Sequence, residues 1–170
     1  LPVADRAMLH ADNAYNLTDV EIVSHRLKTN TQSNTAFRGF GGPQGIIGIE
    51  RAIDHIAHHL NLDPVSVRKT NFYKSSKSLE KDKLSMPDTT PYGMPVTDSI
   101  SEKLLNTLSK TANYKIRCKE IQKWNKKNKF IKKGIGFNPV KFGISFTLTH
   151  LNQAGALVHV YMDGSIYLHH

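Results

Sequence analysis

The sequence predicts an α+β fold, with helices first and antiparallel strands after them. Three observations predict it. Apolar residues recur at helical spacing between positions 46 and 60. The period switches from 3.6 to two after Gly134. And ALVHVYMDGSIYLHH, residues 156–170, joins two β-rich runs across Asp163-Gly164, the strongest short-range signal for a hairpin.

Each element follows from local chemistry. DVEIVSHRLKT, residues 19–29, reads as a strand with Val20, Ile22 and Ser24 on one face. The polar run NTQSNT then marks a loop, and a glycine-rich segment follows it. From Gly45 a helix is expected: Ile46, Ile49, Ile53, Ile56 and Leu60 fall on one stripe, and Pro43 suits a first turn. A second helix opens at NLDPVSVRKTNFY, with Asp63 as N-cap and Pro64 at N1. Residues 74–95 are polar and broken by prolines, so they read as a surface excursion. TDSISEKLLNTLSK predicts a helix capped by Thr97 or Asp98, with Ile100, Leu104, Leu105 and Leu108 inward. The basic segment after Tyr114 predicts another, with Ile116, Ile121 and Trp124 inward. GIGFNPVKFGISFTLTH, from Gly134, alternates as strands do. The change of period places a domain boundary near 129–134, giving domains 1–128 and 129–170. There is no internal repeat.

Composition narrows the function classes. The 170 residues suffice for one ordinary domain or pieces of two. No run of about 18 apolar residues offers a membrane span. The single Cys118 cannot close an internal disulfide, which suits a reducing, cytoplasmic setting. The chain begins with Leu1, and its last residues read as the middle of a strand, so a piece of a longer polypeptide is expected. The net charge of +9 is local: residues 115–133 carry nine Lys/Arg against one Glu, leaving +1 for the rest. With Ile116, Ile121 and Trp124 taken as a packing face, the lysines read as a solvated face and not as a nucleic-acid surface. A stand-alone basic binding module is the alternative from a different class. His55, His58 and His59 share a helix, but no carboxylate motif completes a metal site. His169 and His170 read as part of a strand, and Cys118 as a bland thiol.

The informative stretch is NTAFRGFGGPQG, residues 34–45. It fails the P-loop pattern, since no Lys-Ser/Thr follows, and it fails the dinucleotide fingerprint at Gln44. Two readings remain open on residues alone. One is a tight turn with Phe37 and Phe40 in the core. The other is an anion site, in which backbone N–H groups at a helix start and the Arg38 fork face an oxyanion while Phe40 offers a ring to a flat ligand.

That loop, with DRAMLHADNAY before it and FGISFTLTHLNQAGALVHVYMDGSI after it, resembles the molybdenum-binding subunit of bacterial members of the xanthine dehydrogenase and aldehyde oxidase family. The resemblance covers most of the chain and is weakest over 74–133. It implies a mixed α and β piece of the molybdenum-cofactor region, the end of one cofactor domain followed by the first strands of the next. It implies hydroxylation of a heteroaromatic or aldehyde carbon, with hypoxanthine taken to xanthine and then to urate. Water supplies the oxygen, and electrons leave through two [2Fe–2S] clusters and FAD to NAD, with the hard chemistry on the molybdenum cofactor (molybdopterin). Another molybdenum hydroxylase, acting on an aldehyde or a different N-heterocycle, is the alternative within the family.

Residue by residue, Arg38 matches the AFRGF arginine at the cofactor, Phe40 the phenylalanine that stacks on the purine, and Arg6 an arginine that contacts the purine and stabilises charge developing on it. Aldehyde oxidases generally lack an arginine at that place, so Arg6 favours xanthine. The resemblance assigns no side chain here as a metal ligand. It places the catalytic glutamate far downstream, and a second glutamate and a glutamine upstream, so no catalytic base is expected in this chain and none of it is expected to act alone. Its expected partners are the purine, an Fe–S/FAD subunit, and further copies in a homo-oligomer, with no nucleic acid and no membrane.

Overall fold

A computed structural model describes residues 2–32, 36–74, 88–144 and 149–170. The element order is α1 Pro2–Met8, α2 Gly42–His59, α3 Pro64–Thr70, α4 Ser101–Thr111, α5 Tyr114–Lys127, a 3₁₀ turn Thr149–Leu151, and strands β1 Leu157–Val160 and β2 Ile166–His169. The α+β expectation therefore holds, with helices first and a two-stranded antiparallel sheet last.

Local chemistry sets several ends as expected. Asp63 caps α3, its Oδ2 accepting from the Ser66 N–H at 3.2 Å, and Pro64 takes the first helical position where it loses no hydrogen bond. β1 and β2 pair from Leu157↔His169 to Val160↔Ile166, and Gly164 turns between them at φ +82°.

The core is small. Ile53 and Ala57 of α2, Val65 and Val67 of α3, and Leu105 of α4 close on Ala14, Tyr15 and Phe72. Tyr15 and Phe72 form an isolated antiparallel bridge, their rings stacked at 5.9 Å and 11°. The bridge ties the loop after α1 to the end of α3, with Tyr73 N–H donating to Ala14 O at 3.1 Å and Asn16 N–H to Asn71 O at 2.8 Å.

Several expectations need correction. Residues 19–29 form no strand, because no described segment offers them a ladder, although Ile22 and Ser24 are half-buried as the alternation implies. Residues 134–144 form no strand either; 145–148 lie outside the described residues, as do 75–87 of the expected surface excursion. On α2 the stripe runs off the core at its end: Ile56 and Leu60 are exposed, while Glu50 and Ala57 are buried. The N-cap of α4 is Ile100, not Thr97 or Asp98, and it makes no side-chain cap hydrogen bond. No residue of α5 is buried. Its Trp124 lies beneath the Lys133 ammonium, 3.7 Å from the ring centroid, so a cation covers the ring where a core was expected.

Candidate functional site

The glycine-rich loop is a turn with three successive residues at positive φ: Gly39 at +89°, Phe40 at +49° and Gly41 at +104°. Phe40 N–H donates to Phe37 O at 2.7 Å, and Gly42 N–H to Gly39 O at 2.9 Å. Phe40 pays for this turn with a left-handed backbone that bulky side chains rarely adopt. Glycine is required at 41 for a second reason. A Cβ there would sit 1.9 Å from Val3 O, and one on Gly45 would sit 2.1 Å from Ala7 O. The loop and the first turn of α2 thus press directly on the backbone of α1, which carries Arg6.

The three expected site residues sit differently. Arg38 is exposed in the turn, and Phe40 is half-buried. Phe37, a core residue on the tight-turn reading, is 85% exposed. Arg6 is buried. Its Nη2 donates to Gly143 O, and its guanidinium lies 5.0 Å from the centroid of the Phe142 ring. That ring also limits Gly42, where a Cβ would lie 2.4 Å from Phe142 Cε2. Phe142 is therefore the piece through which Arg6 and the glycine loop meet.

Residues 138–143, from the other end of the chain, are held against the loop after α1. His10 binds both Arg6 O (2.8 Å, from Nδ1) and the Gly143 N–H (3.0 Å, at Nε2). Asn13 Nδ2 donates to Pro139 O at 2.9 Å, and Lys141 N–H donates to Asn13 Oδ1 at 2.9 Å. Lys141 Nζ pairs with buried Asp12, whose Oδ2 also accepts from Tyr73 OH at 2.7 Å. Burial, then this hydrogen bond, pushes the Tyr73 phenol above its ordinary range.

Behind this lies a buried ion pair. Glu50 Oε2 accepts from Arg68 Nε and Nη2, both at 2.8 Å, while its Oε1 accepts from Asn13 Nδ2 at 2.8 Å and Tyr15 OH at 2.6 Å. Arg68 also reaches Asp54 Oδ1 at 2.8 Å and Asn138 Oδ1 at 3.0 Å. Burial opposes the Arg68 charge, but the bonds to Asp54 and Glu50 outweigh it and hold its pKa above the usual arginine value. One carboxylate thus joins α2, α3 and the loop after α1, and Arg68 extends the join to residue 138.

Sequence reasoning missed His10, Asp12, Asn13, Glu50, Arg68 and Lys141. Only Glu50 carried a signal, as a charge beside the isoleucine stripe. The others each make a bond between residues 138–143 and the N-terminal half, 70 to 133 residues away along the chain. The three helix histidines, His55, His58 and His59, are exposed, and Cys118 is a half-buried free thiol. A crevice of about 530 Å³ between α1, α2 and residues 22–25 is lined by Ala4, Ala7, Met8, Gln44 and Ile49 among others, and not by Arg6, Arg38 or Phe40. No helix among the described residues is long and apolar enough to cross a membrane.

The donor set can be tested against an oxyanion- or phosphate-bearing group. Helix α2 has Gly41 as its N-cap and no side-chain cap, but Gly41 and Gly42 are buried, the Gly42 and Gly45 N–H groups are bonded to Gly39 O and Gly41 O, and Pro43 has none to offer. What this end presents to an anion is the helix dipole and the exposed Arg38, four residues before the helix. The Arg38 fork suits an anionic cofactor.

Comparison with known proteins points the same way. Residues 1–72 and residues 107–170 each match a family model described as a molybdopterin cofactor-binding domain. Over 168 residues, 99% of this chain, it is 41% identical to a xanthine dehydrogenase of Dictyostelium discoideum, 44% to a xanthine dehydrogenase/oxidase of Gallus gallus and 39% to a xanthine dehydrogenase of Calliphora vicina. The chain spans 12% of the length of each of these relatives. They lend no support to a bacterial origin.

Proposed function

This chain belongs to the molybdopterin cofactor-binding domain family, and from that premise we propose that it is part of the active-site region of a xanthine dehydrogenase, which takes hypoxanthine to xanthine and xanthine to urate. The observation that carries this reading is the buried arginine, Arg6, fixed on the helix against which the glycine loop packs. The relatives named xanthine dehydrogenase, about 40% identical along the whole chain, support it.

When bound, the molybdenum cofactor supplies the oxygen transfer and the two-electron chemistry. The chain's own residues position and polarise. Arg38, exposed beside the positive end of α2, would hold the cofactor's anionic oxygens. Phe40 stacks on the flat purine. Arg6 places a fixed cation at the far side of the ring, where attack on a purine carbon pushes negative charge. The general base belongs to another part of the parent polypeptide. The [2Fe–2S] clusters and FAD, which pass electrons to NAD, belong to the Fe–S/FAD subunit of the same enzyme. Division into domains 1–128 and 129–170, assembly as a homo-oligomer and a cytoplasmic location complete the proposal.

The experiment is urate formation from xanthine, followed by absorbance, in the full parent polypeptide with any partner subunit and with molybdenum measured. Arg6→Ala is expected to lower xanthine turnover on the order of 10²- to 10³-fold and aldehyde turnover far less. Molybdenum-loaded enzyme that forms no urate would overturn the xanthine reading.

A further inference from the structure

We propose that His10 is a positioning residue for Arg6, acting as a neutral imidazole that references both ends of that arginine to Gly143. The inference rests on the reading of Arg6 as the purine-facing cation.

Three residues close a ring of hydrogen bonds. The His10 Nδ1 lies 2.8 Å from Arg6 O. The Gly143 N–H points at His10 Nε2 over 3.0 Å. Gly143 O accepts from Arg6 Nη2. Donor and acceptor rules fix the imidazole, because a carbonyl oxygen can only accept and an amide N–H can only donate. Nδ1 therefore carries the proton and Nε2 is bare. A charged imidazole would set two N–H groups against each other at Gly143.

Helix geometry explains why the side chain is used. Helix α1 ends at Met8, and the His10 N–H goes to Ala7 O at 3.2 Å, one residue short of continuing the helix to Arg6 O. A carbonyl at a helix end needs a partner from outside the ladder. The His10 ring supplies one to Arg6, then uses its second nitrogen to hold Gly143. It is 5% exposed and lies 4.7 Å from the Phe142 ring, the same ring that lies under the Arg6 guanidinium. Arg6 has a long, rotamer-rich side chain, and its cation is useful only where charge develops. Fixing its head through Gly143 and its backbone through the same imidazole removes much of that freedom before substrate arrives.

Two neutral variants separate the two bonds. In His10→Gln the side-chain oxygen takes the place of Nε2 and still accepts from Gly143. In His10→Asn the amide takes the place of Nδ1 and still donates to Arg6 O, while Gly143 loses its anchor. Both are made in the full holoenzyme, with molybdenum content and thermal midpoint checked on each. Turnover of xanthine is measured beside benzaldehyde.

The expected result is a kcat for xanthine within about threefold of wild type for His10→Gln, and lowered on the order of 10- to 100-fold for His10→Asn, the cost of a misplaced group away from the chemistry. KM should change little, and benzaldehyde turnover should stay near wild type in both. A merely structural role would depress both substrates together. Equal xanthine turnover in the two variants, or equal losses on xanthine and benzaldehyde, overturns the assignment while leaving the urate reading intact. A wild-type enzyme that forms no urate removes both.

Discussion

Two regions near the C-terminus differ in a way that decides what holds the site. Residues 157–169 form the regular element, a four-pair antiparallel hairpin, yet every residue of both strands is exposed. Residues 135–143 form no regular element, yet their backbone and side chains bond Asn13, His10, Arg6, Asp12 and Arg68, at separations of up to 137 residues along the chain. Regularity and support have come apart. A two-stranded hairpin pairs its facing backbone groups within itself and leaves its outer edges to solvent, so its regularity is local and marginal. An irregular segment must send its polar groups elsewhere, and here they go to Arg6, to the loop after its helix and to Arg68 of α3.

The largest expected effect breaks the irregular side of this comparison. Glu50→Ala leaves the buried Arg68 guanidinium with the half-exposed Asp54 as its remaining counter-charge and removes the acceptor for Asn13 and Tyr15. Breaking a buried pair costs about 3–5 kcal/mol when nothing replaces the lost partner, and with Asp54 in place the low end of that range, about 3 kcal/mol, is expected. Urea denaturation of the 170-residue chain should show that loss, and protease cleavage within 138–143 should rise with it. A loss under 1 kcal/mol would mean the network is not what anchors the segment.

Gly41→Ala should come next. Strain at φ +104° and a Cβ 1.9 Å from Val3 O must be relieved by moving α1 off the loop. Strained backbone of this kind costs about 1–3 kcal/mol. In the parent enzyme the same shift moves Arg6, so xanthine turnover should fall more than the unfolding midpoint suggests. Unchanged turnover would detach the loop from Arg6.

These contrasts also explain what the sequence could disclose. Asp63-Pro64 and Asp163-Gly164 act within a few residues, so the start of α3 and the hairpin were legible. The alternation after Gly134 was real: Ile135, Phe137, Pro139 and Lys141 are half-buried and the residues between them are exposed. It reports one face pressed against a neighbour, which a strand shares with any extended segment lying on a core. Only the ladder was absent, and a ladder depends on a partner that periodicity does not name. The loop 34–45 was legible as a candidate site by resemblance, with Arg6, Arg38 and Phe40 as its expected residues. The imidazole and the ion pair behind Arg6 were not, because the partners of His10 and Glu50 lie on other elements, 133 and 18 residues away, and no local pattern names them. On α2, Glu50 took a core position that the isoleucine stripe seemed to claim, since Arg68 was waiting for it.

Alkaline pH offers a milder probe of the same network. Burial, and then hydrogen bonds to Glu50 and Asp12, push the Tyr15 and Tyr73 phenols above the ordinary range. Their raised folded-state pKa means the stability they contribute is fully present below the unfolded value of about 10 and is lost as pH rises beyond it. The urea midpoint of the chain should therefore begin to fall above about pH 10, and less steeply in Tyr73→Phe. A midpoint flat to pH 11 would remove the two phenols from the anchoring network.

The smallest effect is expected in the hairpin and is the sharpest test of the contrast. Val160 pairs with Ile166 at the end of the ladder beside the turn, and 71% of it is exposed. Val160→Thr keeps the β-branched shape and adds a hydroxyl that solvent can satisfy. Surface changes of this kind stay within about 0.5 kcal/mol. The 170-residue chain should show no more than that in its urea midpoint. The parent polypeptide supplies the second half of the test. If the hairpin also faces solvent there, the substitution is neutral in both. If the parent loses about 1–3 kcal/mol, the scale of burying a hydroxyl without a partner, then other parts of that polypeptide cover the strands. The regular region would then owe its place in the enzyme to distant partners, as the irregular one does within this chain.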